Sequence, residues 1–196
     1  MKSEKSKIVN LKSKMDMVLI FLTTGFEEIE ALATMDILRR GGVNIQSVSL
    51  TGERVVTGGH DISVIADCLF EEVGFADAKM LILPGGTVKI NEHEGLKREI
   101  LAFAAQGKPL AAICAAPMVL GGLGLLQNKK ATCYSGFEKY LTGAFIADAP
   151  VIVDGNITTG RAAAYTFDFA LELLSQLKGK EAAEDIARKM KSIVID

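Results

Sequence analysis

The sequence predicts an α/β fold in which a mostly parallel sheet is covered by helices on both faces. Three observations carry that expectation. Short, nearly all-apolar runs at residues 17–22, 80–83 and 109–113 read as strands buried on both faces. Segments of helical pattern alternate with them, and Gly or Pro signals close most of them. The 196 residues are 49% hydrophobic and 23% charged, enough for one packed domain and unlike a disordered chain.

Taken in order, residues 1–15 are a polar extension, and one domain fills 16–196. The strand at 17–22 ends in Thr23-Thr24-Gly25. Residues 27–40 read as a helix, with three acids in the first turn, Arg39 and Arg40 in the last, and Gly41-Gly42 as the stop. Residues 44–50 alternate as a second strand. Turn signals at Thr51-Gly52 and Gly58-Gly59 surround short β-like pieces, and Cys68 falls in a loop near Phe70. The strand at 80–83 ends in Pro84-Gly85-Gly86, and an amphipathic helix covers 94–106. After the strand at 109–113 a helix begins just past Cys114. Gly121-Gly122-Leu123-Gly124 follows that helix, so it reads as a terminator and not as a phosphate loop. Cys133 and Tyr134 lie on an apparent strand. Residues 151–159 form a hairpin around Asp154-Gly155, and helices near 163–177 and 180–190 follow.

Charge and cysteine content exclude several classes of function. The 22 basic and 24 acidic residues leave a net charge of -2, which argues against wholesale binding of nucleic acid or anionic membrane. No apolar run reaches the roughly 20 residues of a membrane-spanning helix, and the basic N-terminus lacks the apolar stretch of a signal peptide. Cytoplasm is therefore the expected location. Three cysteines are too few for a disulfide scaffold and are read as thiols.

In a parallel sheet the loops at the carboxyl ends of the strands meet in one crevice, where ligands bind. Three such loops carry unusual chemistry. Cys114 stands at a strand-to-helix bend among small neighbours, with Pro117 in the first helical turn. Free backbone N–H groups and the helix dipole would lower its pKa and make it a nucleophile; the alternative is a small core residue. Gly85 and Gly86 let backbone amides approach an oxyanion, or simply make a tight turn. For Glu27 and Glu28 the helix dipole is sufficient reason, whereas Glu30 can project into the crevice and exchange a proton with Cys114 or substrate. Cys68 and Cys133 are assigned to packing. Arg161 follows a strand and either binds an anion or braces a dimer. No metal site is expected, because no two His or Cys residues sit at ligand spacing.

The segments Gly25–Glu30, Leu83–Gly86, Ala111–Pro117, Thr159–Arg161 and Phe167–Leu171 together resemble the ThiJ/PfpI superfamily, nearest its Parkinsonism-associated (DJ-one) branch. The resemblance runs in order over nearly the whole domain. It implies a flavodoxin-like three-layer sandwich, usually homodimeric, with the cysteine on a nucleophile elbow. By position it makes Cys114 the nucleophile and Glu30 the adjacent acid, with the Gly86 and Ala115 amides at the oxyanion. It further implies a cofactor-free glyoxalase or deglycase acting on small aldehydes or dicarbonyls, with a role in oxidative or carbonyl stress. The alternative it carries is a redox-sensing or chaperone protein in which Cys114 becomes a sulfinic acid. The chain departs from the family where a histidine often stands: Ala115 follows the cysteine, and Tyr134 occupies the second position, where it could orient substrate. Of the two histidines, His93 is expected on the surface, and His60 aligns near a basic dimer-contact position. A hydrolytic triad lacks its base, so peptidase activity is not expected.

Overall fold

A computed structural model describes residues 17–191; the expected polar extension at 1–15 lies outside them. The first strand, β1 (Met17–Leu22), is followed by α1 (Glu28–Arg40) and β2 (Asn44–Ser49). A small hairpin of β3 (Val55–Thr57) and β4 (Ser63–Ile65) leads to β5 (Cys68–Leu69) and then β6 (Ala78–Leu83). Next come α2 (Glu94–Ala105), β7 (Leu110–Ile113) and the short α3 (Pro117–Gly122). Strands β8 (Lys130–Ala131), β9 (Phe145–Ile146), β10 (Val151–Asp154) and β11 (Ile157–Gly160) precede α4 (Thr166–Lys178) and α5 (Lys180–Lys191).

Seven strands form the main sheet in the order β10-β11-β7-β6-β1-β2-β5. Every pairing is parallel except the β10–β11 hairpin at one edge. The predicted layers follow from side-chain alternation in β1. Val18, Ile20 and Leu22 face a core shared with Ala31 and Leu38 of α1, Phe169 and Leu173 of α4, and Ile186 of α5. Leu19 and Phe21 face the opposite core, with Ile100 and Phe103 of α2 and Val119 and Leu120 of α3. A strand buried on both faces needs an apolar residue at every position, hence the unbroken run in the sequence. Among the described residues no helix is long and apolar enough to cross a membrane.

Two glycines set the local packing. Gly41 ends α1 against α4, where a Cβ would stand 2.3 Å from Leu174 Cδ1. Gly121 lies inside α3, not beyond its end; a Cβ there would meet the Tyr140 carbonyl oxygen at 2.2 Å. The glycine run thus serves close packing as well as helix termination.

Two cysteines differ from expectation. Cys68 is not in a loop but pairs with Val48 as edge strand β5, and its thiol donates to the Ser47 carbonyl at 3.7 Å. Cys133 lies past the end of β8 and is buried in the α2–α3 core.

Candidate functional site

Strands β7, β6 and β1 are neighbours, so the loops leaving their carboxyl ends are neighbours too. The Pro84–Gly86 turn lies in the middle, with the Cys114 bend on one side and the start of α1 on the other. A Cβ built on Gly85 would stand 2.8 Å from Cys114 Cβ, 2.9 Å from Glu30 Oε2 and 3.0 Å from the Ala115 nitrogen. The three groups converge on one backbone position that only glycine leaves open. Gly86, at φ +93°, passes so close to the first turn of α1 that a Cβ would lie 2.3 Å from the Glu27 nitrogen. The Gly85 carbonyl accepts from that same Glu27 amide at 3.0 Å.

Cys114 has φ +64°, in the left-handed region that L-residues other than Asn and Asp rarely enter. The bend from β7 into α3 forces it there, at a cost of about 1–3 kcal/mol. Both backbone groups of the residue are held: its N–H donates to Gly160 at 2.9 Å, and its carbonyl accepts from the Tyr134 amide at 2.8 Å. The elbow is therefore clamped between β11 and the segment after β8. The half-buried thiol receives backbone N–H bonds from Ala115 and Gly86.

Glu30 is fully buried. Its Oε2 accepts from the Gly85 amide at 2.7 Å, while Oε1 is buried without a hydrogen-bond partner of its own. Beside the carboxyl stands the Cys114 thiol. Burial pushes Glu30 up to about 7, against the Gly85 bond and the thiol, which favour the anion; the nearby charge of Glu27 adds to the rise. The thiol also moves up, contrary to the expectation of a lowered pKa. Burial and then the Glu30 charge push Cys114 up to about 12, and the amides of Ala115 and Gly86 offset only part of that. Helix α3, six residues long, does not reverse the balance.

The remaining expected residues are less central. Tyr134, an exposed residue, touches Cys114 through its backbone amide, and its ring lies edge-on to Phe137. The Arg161 guanidinium pairs with Asp148, and its backbone amide donates to the Pro150 carbonyl. Arg161 lines a concavity of about 220 Å³ with Cys133, Ser135 and Glu138. His93 is not a free surface residue. It caps α2 by accepting from the Leu96 amide at 3.0 Å, and its ring packs edge-on against Phe70.

One pairing escaped sequence reasoning. Glu28 is not merely an acid at a helix start: it is buried and bonded to His60, 32 residues away. Its Oε1 accepts from the His60 amide at 2.7 Å and its Oε2 meets His60 Nδ1 at 2.8 Å. Burial works against ionisation, but the His60 ring and amide outweigh it and hold Glu28 down to about 2. The only sequence signal was Gly58, where a Cβ would lie 2.3 Å from Glu28 Oε1.

Comparison with known proteins identifies the family and the fold. The model described as the DJ-1/PfpI family matches residues 16–176. The protein DJ-1 homolog B of Arabidopsis thaliana is 34% identical over 182 residues, covering 90% of this chain. The chain spans less than half the length of that relative (42%) and of the plant homolog A (45%). A Pyrococcus horikoshii protein named deglycase PH1704 is 33% identical over 171 residues, 83% of this chain and 100% of its own. Among solved structures, the DJ-1 superfamily protein STM1931 of Salmonella typhimurium superposes with a TM-score of 0.86 at 32% identity, covering 90% of this chain and 98% of its own.

Proposed function

This chain belongs to the DJ-1/PfpI family, and on that premise we propose that it is a cysteine-dependent, cofactor-free enzyme of deglycase or glyoxalase type. Its substrates on this reading are small dicarbonyls or their adducts. The carrying observation is the convergence of Cys114, Glu30 and the Ala115 amide around Gly85. The name of the archaeal deglycase, matched over its full length, supports the same class of chemistry.

The proton affinities suit that chemistry. A carboxyl near 7 is present in both forms at neutral pH, as a group that takes and returns protons in one turnover requires. The thiol stays protonated until attack, when the Glu30 carboxylate removes its proton. With methylglyoxal, the sulfur adds to the aldehyde carbon and the aldehyde oxygen gains the proton, giving a hemithioacetal. The Gly86 and Ala115 amides, beside the sulfur, supply donors to the alkoxide formed on the way. Glu30 then takes the hydrogen of that carbon and a proton returns to the neighbouring carbon through an enediol. One carbon is oxidised and the next reduced, leaving a lactyl thioester. Water cleaves the thioester to lactate and regenerates the thiol. On this reading Tyr134 orients the substrate, and Arg161 contributes only if it leaves Asp148.

The test is lactate formation from methylglyoxal without glutathione, in wild type, Cys114→Ser and Glu30→Gln. Equal rates in wild type and Cys114→Ser would overturn the assignment.

A second reading rests on the unpartnered Glu30 Oε1. A protonated Oε1 would donate to an oxygen of a Cys114 sulfinic acid, which two equivalents of peroxide form from the thiol. Intact-mass measurement across a peroxide titration checks it. Oxidation of Cys68 or Cys133 ahead of Cys114 would sink this redox-sensing role. On either reading we place the protein in the cytoplasm as a homodimer with a role in oxidative or carbonyl stress.

A further inference from the structure

The start of α1 carries a second cluster. One carboxylate oxygen each from Glu27 and Glu28 and one ring nitrogen of His60 all lie within 4.8 Å of one another. We propose that these three side chains form a binding site for a divalent transition-metal ion, with Zn²⁺ the best match. The sequence carries no sign of such a site, because ligand spacing is legible only for paired His or Cys, and here two carboxylates supply the other ligands.

The geometry fits a tetrahedral ion. Zinc bonds of about 2.0–2.2 Å put neighbouring ligand atoms roughly 3.3–3.6 Å apart. His60 Nδ1 stands 2.8 Å from Glu28 Oε2 and 3.8 Å from Glu27 Oε2, so the observed separations straddle that value. For the two pairs that include His60, an ion entering between them would need shifts of only several tenths of an ångström.

The site is also built in advance. Glu28 is fixed by the His60 amide on Oε1, which leaves Oε2 directed at the imidazole. The missing Cβ of Gly58 is what admits that carboxylate. The loop that carries His60 is tied to the loop before α1 by the Gly59 amide on the Phe26 carbonyl, at 2.9 Å, and the Gly25 amide on the Thr57 carbonyl, at 2.8 Å. In the single chain 70% of the His60 side chain is exposed, which lets the ring turn to meet an ion and leaves a fourth position to water. Two carboxylates offset the unfavourable positive end of the helix dipole. One nitrogen and two oxygens suit zinc better than magnesium or calcium, which favour oxygen alone. Binding releases the proton from Nδ1 to solvent.

Calorimetric titration with ZnCl₂ tests the site, using wild type and, to exclude the thiol, Cys114→Ser. Both are expected to bind one Zn²⁺ per chain at this cluster. Adding His60→Ala to Cys114→Ser is expected to weaken binding at least about tenfold, and Glu27→Gln to weaken it in the same direction. Both substituted positions are at the surface or partly exposed, and circular dichroism verifies that the variants are folded. No heat from Cys114→Ser at millimolar Zn²⁺, or equal affinity with and without His60, would overturn the proposal. A failed methylglyoxal assay leaves this result untouched.

Discussion

Glu28 and Glu30 stand two residues apart on one helical turn, both almost wholly buried, at 4% and 0% exposed. Their proton affinities nevertheless move in opposite directions, Glu28 to about 2 and Glu30 to about 7. Burial raises both. The difference lies in what each faces, since residues two apart point to nearly opposite sides of a helix. Glu28 turns to the loop of the β3–β4 hairpin, where the His60 amide and imidazole bind both of its oxygens. Glu30 turns to the β6 loop, where a single amide binds one oxygen and a thiol stands beside the carboxyl. Donor supply, more than depth, makes one carboxylate a fixed anion and the other a group able to change charge.

That contrast can be broken or sharpened by substitution. The largest expected effect is on catalysis: Cys114→Ser should lower lactate formation by on the order of a thousandfold or more. Next, Glu30→Gln should lower kcat/KM by about 10²–10³-fold. The same change should bring the Cys114 pKa down from about 12, because the Glu30 charge is one of its causes. Ultraviolet titration of the thiolate reads this, and an unmoved pKa would separate the two groups electrostatically.

A smaller effect concerns stability. Glu30 titrates higher in the fold than its ordinary 4.5, so its favourable contribution is complete below 4.5 and is lost as pH rises through about 7. Glu30→Gln should therefore raise stability above pH 7, by at most about 3 kcal/mol, and change little below 4.5. Thermal melts across that range give the comparison, and a gain confined to acid would reverse the sign. Glu28 behaves oppositely: its contribution is present above 4.5 and is lost as pH falls through about 2. Removing the ring with His60→Ala should shift that loss upward, so acid unfolding begins at higher pH. This is the smallest effect, since the His60 backbone amide stays in place.

How much of this was legible in the sequence depends on the range of the interaction. β1, β6 and β7 announce themselves because strands covered on both faces need apolar side chains at successive positions. Cys114, Gly85 and Gly86 follow from that, since each lies one to three residues past a strand end. Two-residue strands have no period to detect, so Cys68 reads as loop. Past Ala131 the chain leaves β8 to donate the Tyr134 amide to the Cys114 carbonyl, and nothing in its composition marks that departure. The direction of the thiol shift is hidden from the sequence for a different reason. The amides that lower it are implied by the local sequence, whereas its burial and the Glu30 charge depend on chain segments far away. The Glu28–His60 pair lies across 32 residues and a hairpin, beyond any local pattern.

The left-handed backbone of Cys114 also restricts which mutational routes this crevice has open to it. At φ +64° a β-branched side chain is a conformational outlier, so threonine is barred whatever its hydroxyl could do as an attacking group. Serine enters at modest backbone cost; asparagine and glycine fit best and carry no nucleophile. The bend thus acts as a filter on inheritance. Lineages can keep the sulfur, try a slower oxygen, or abandon covalent chemistry for binding, and the last step relieves the backbone.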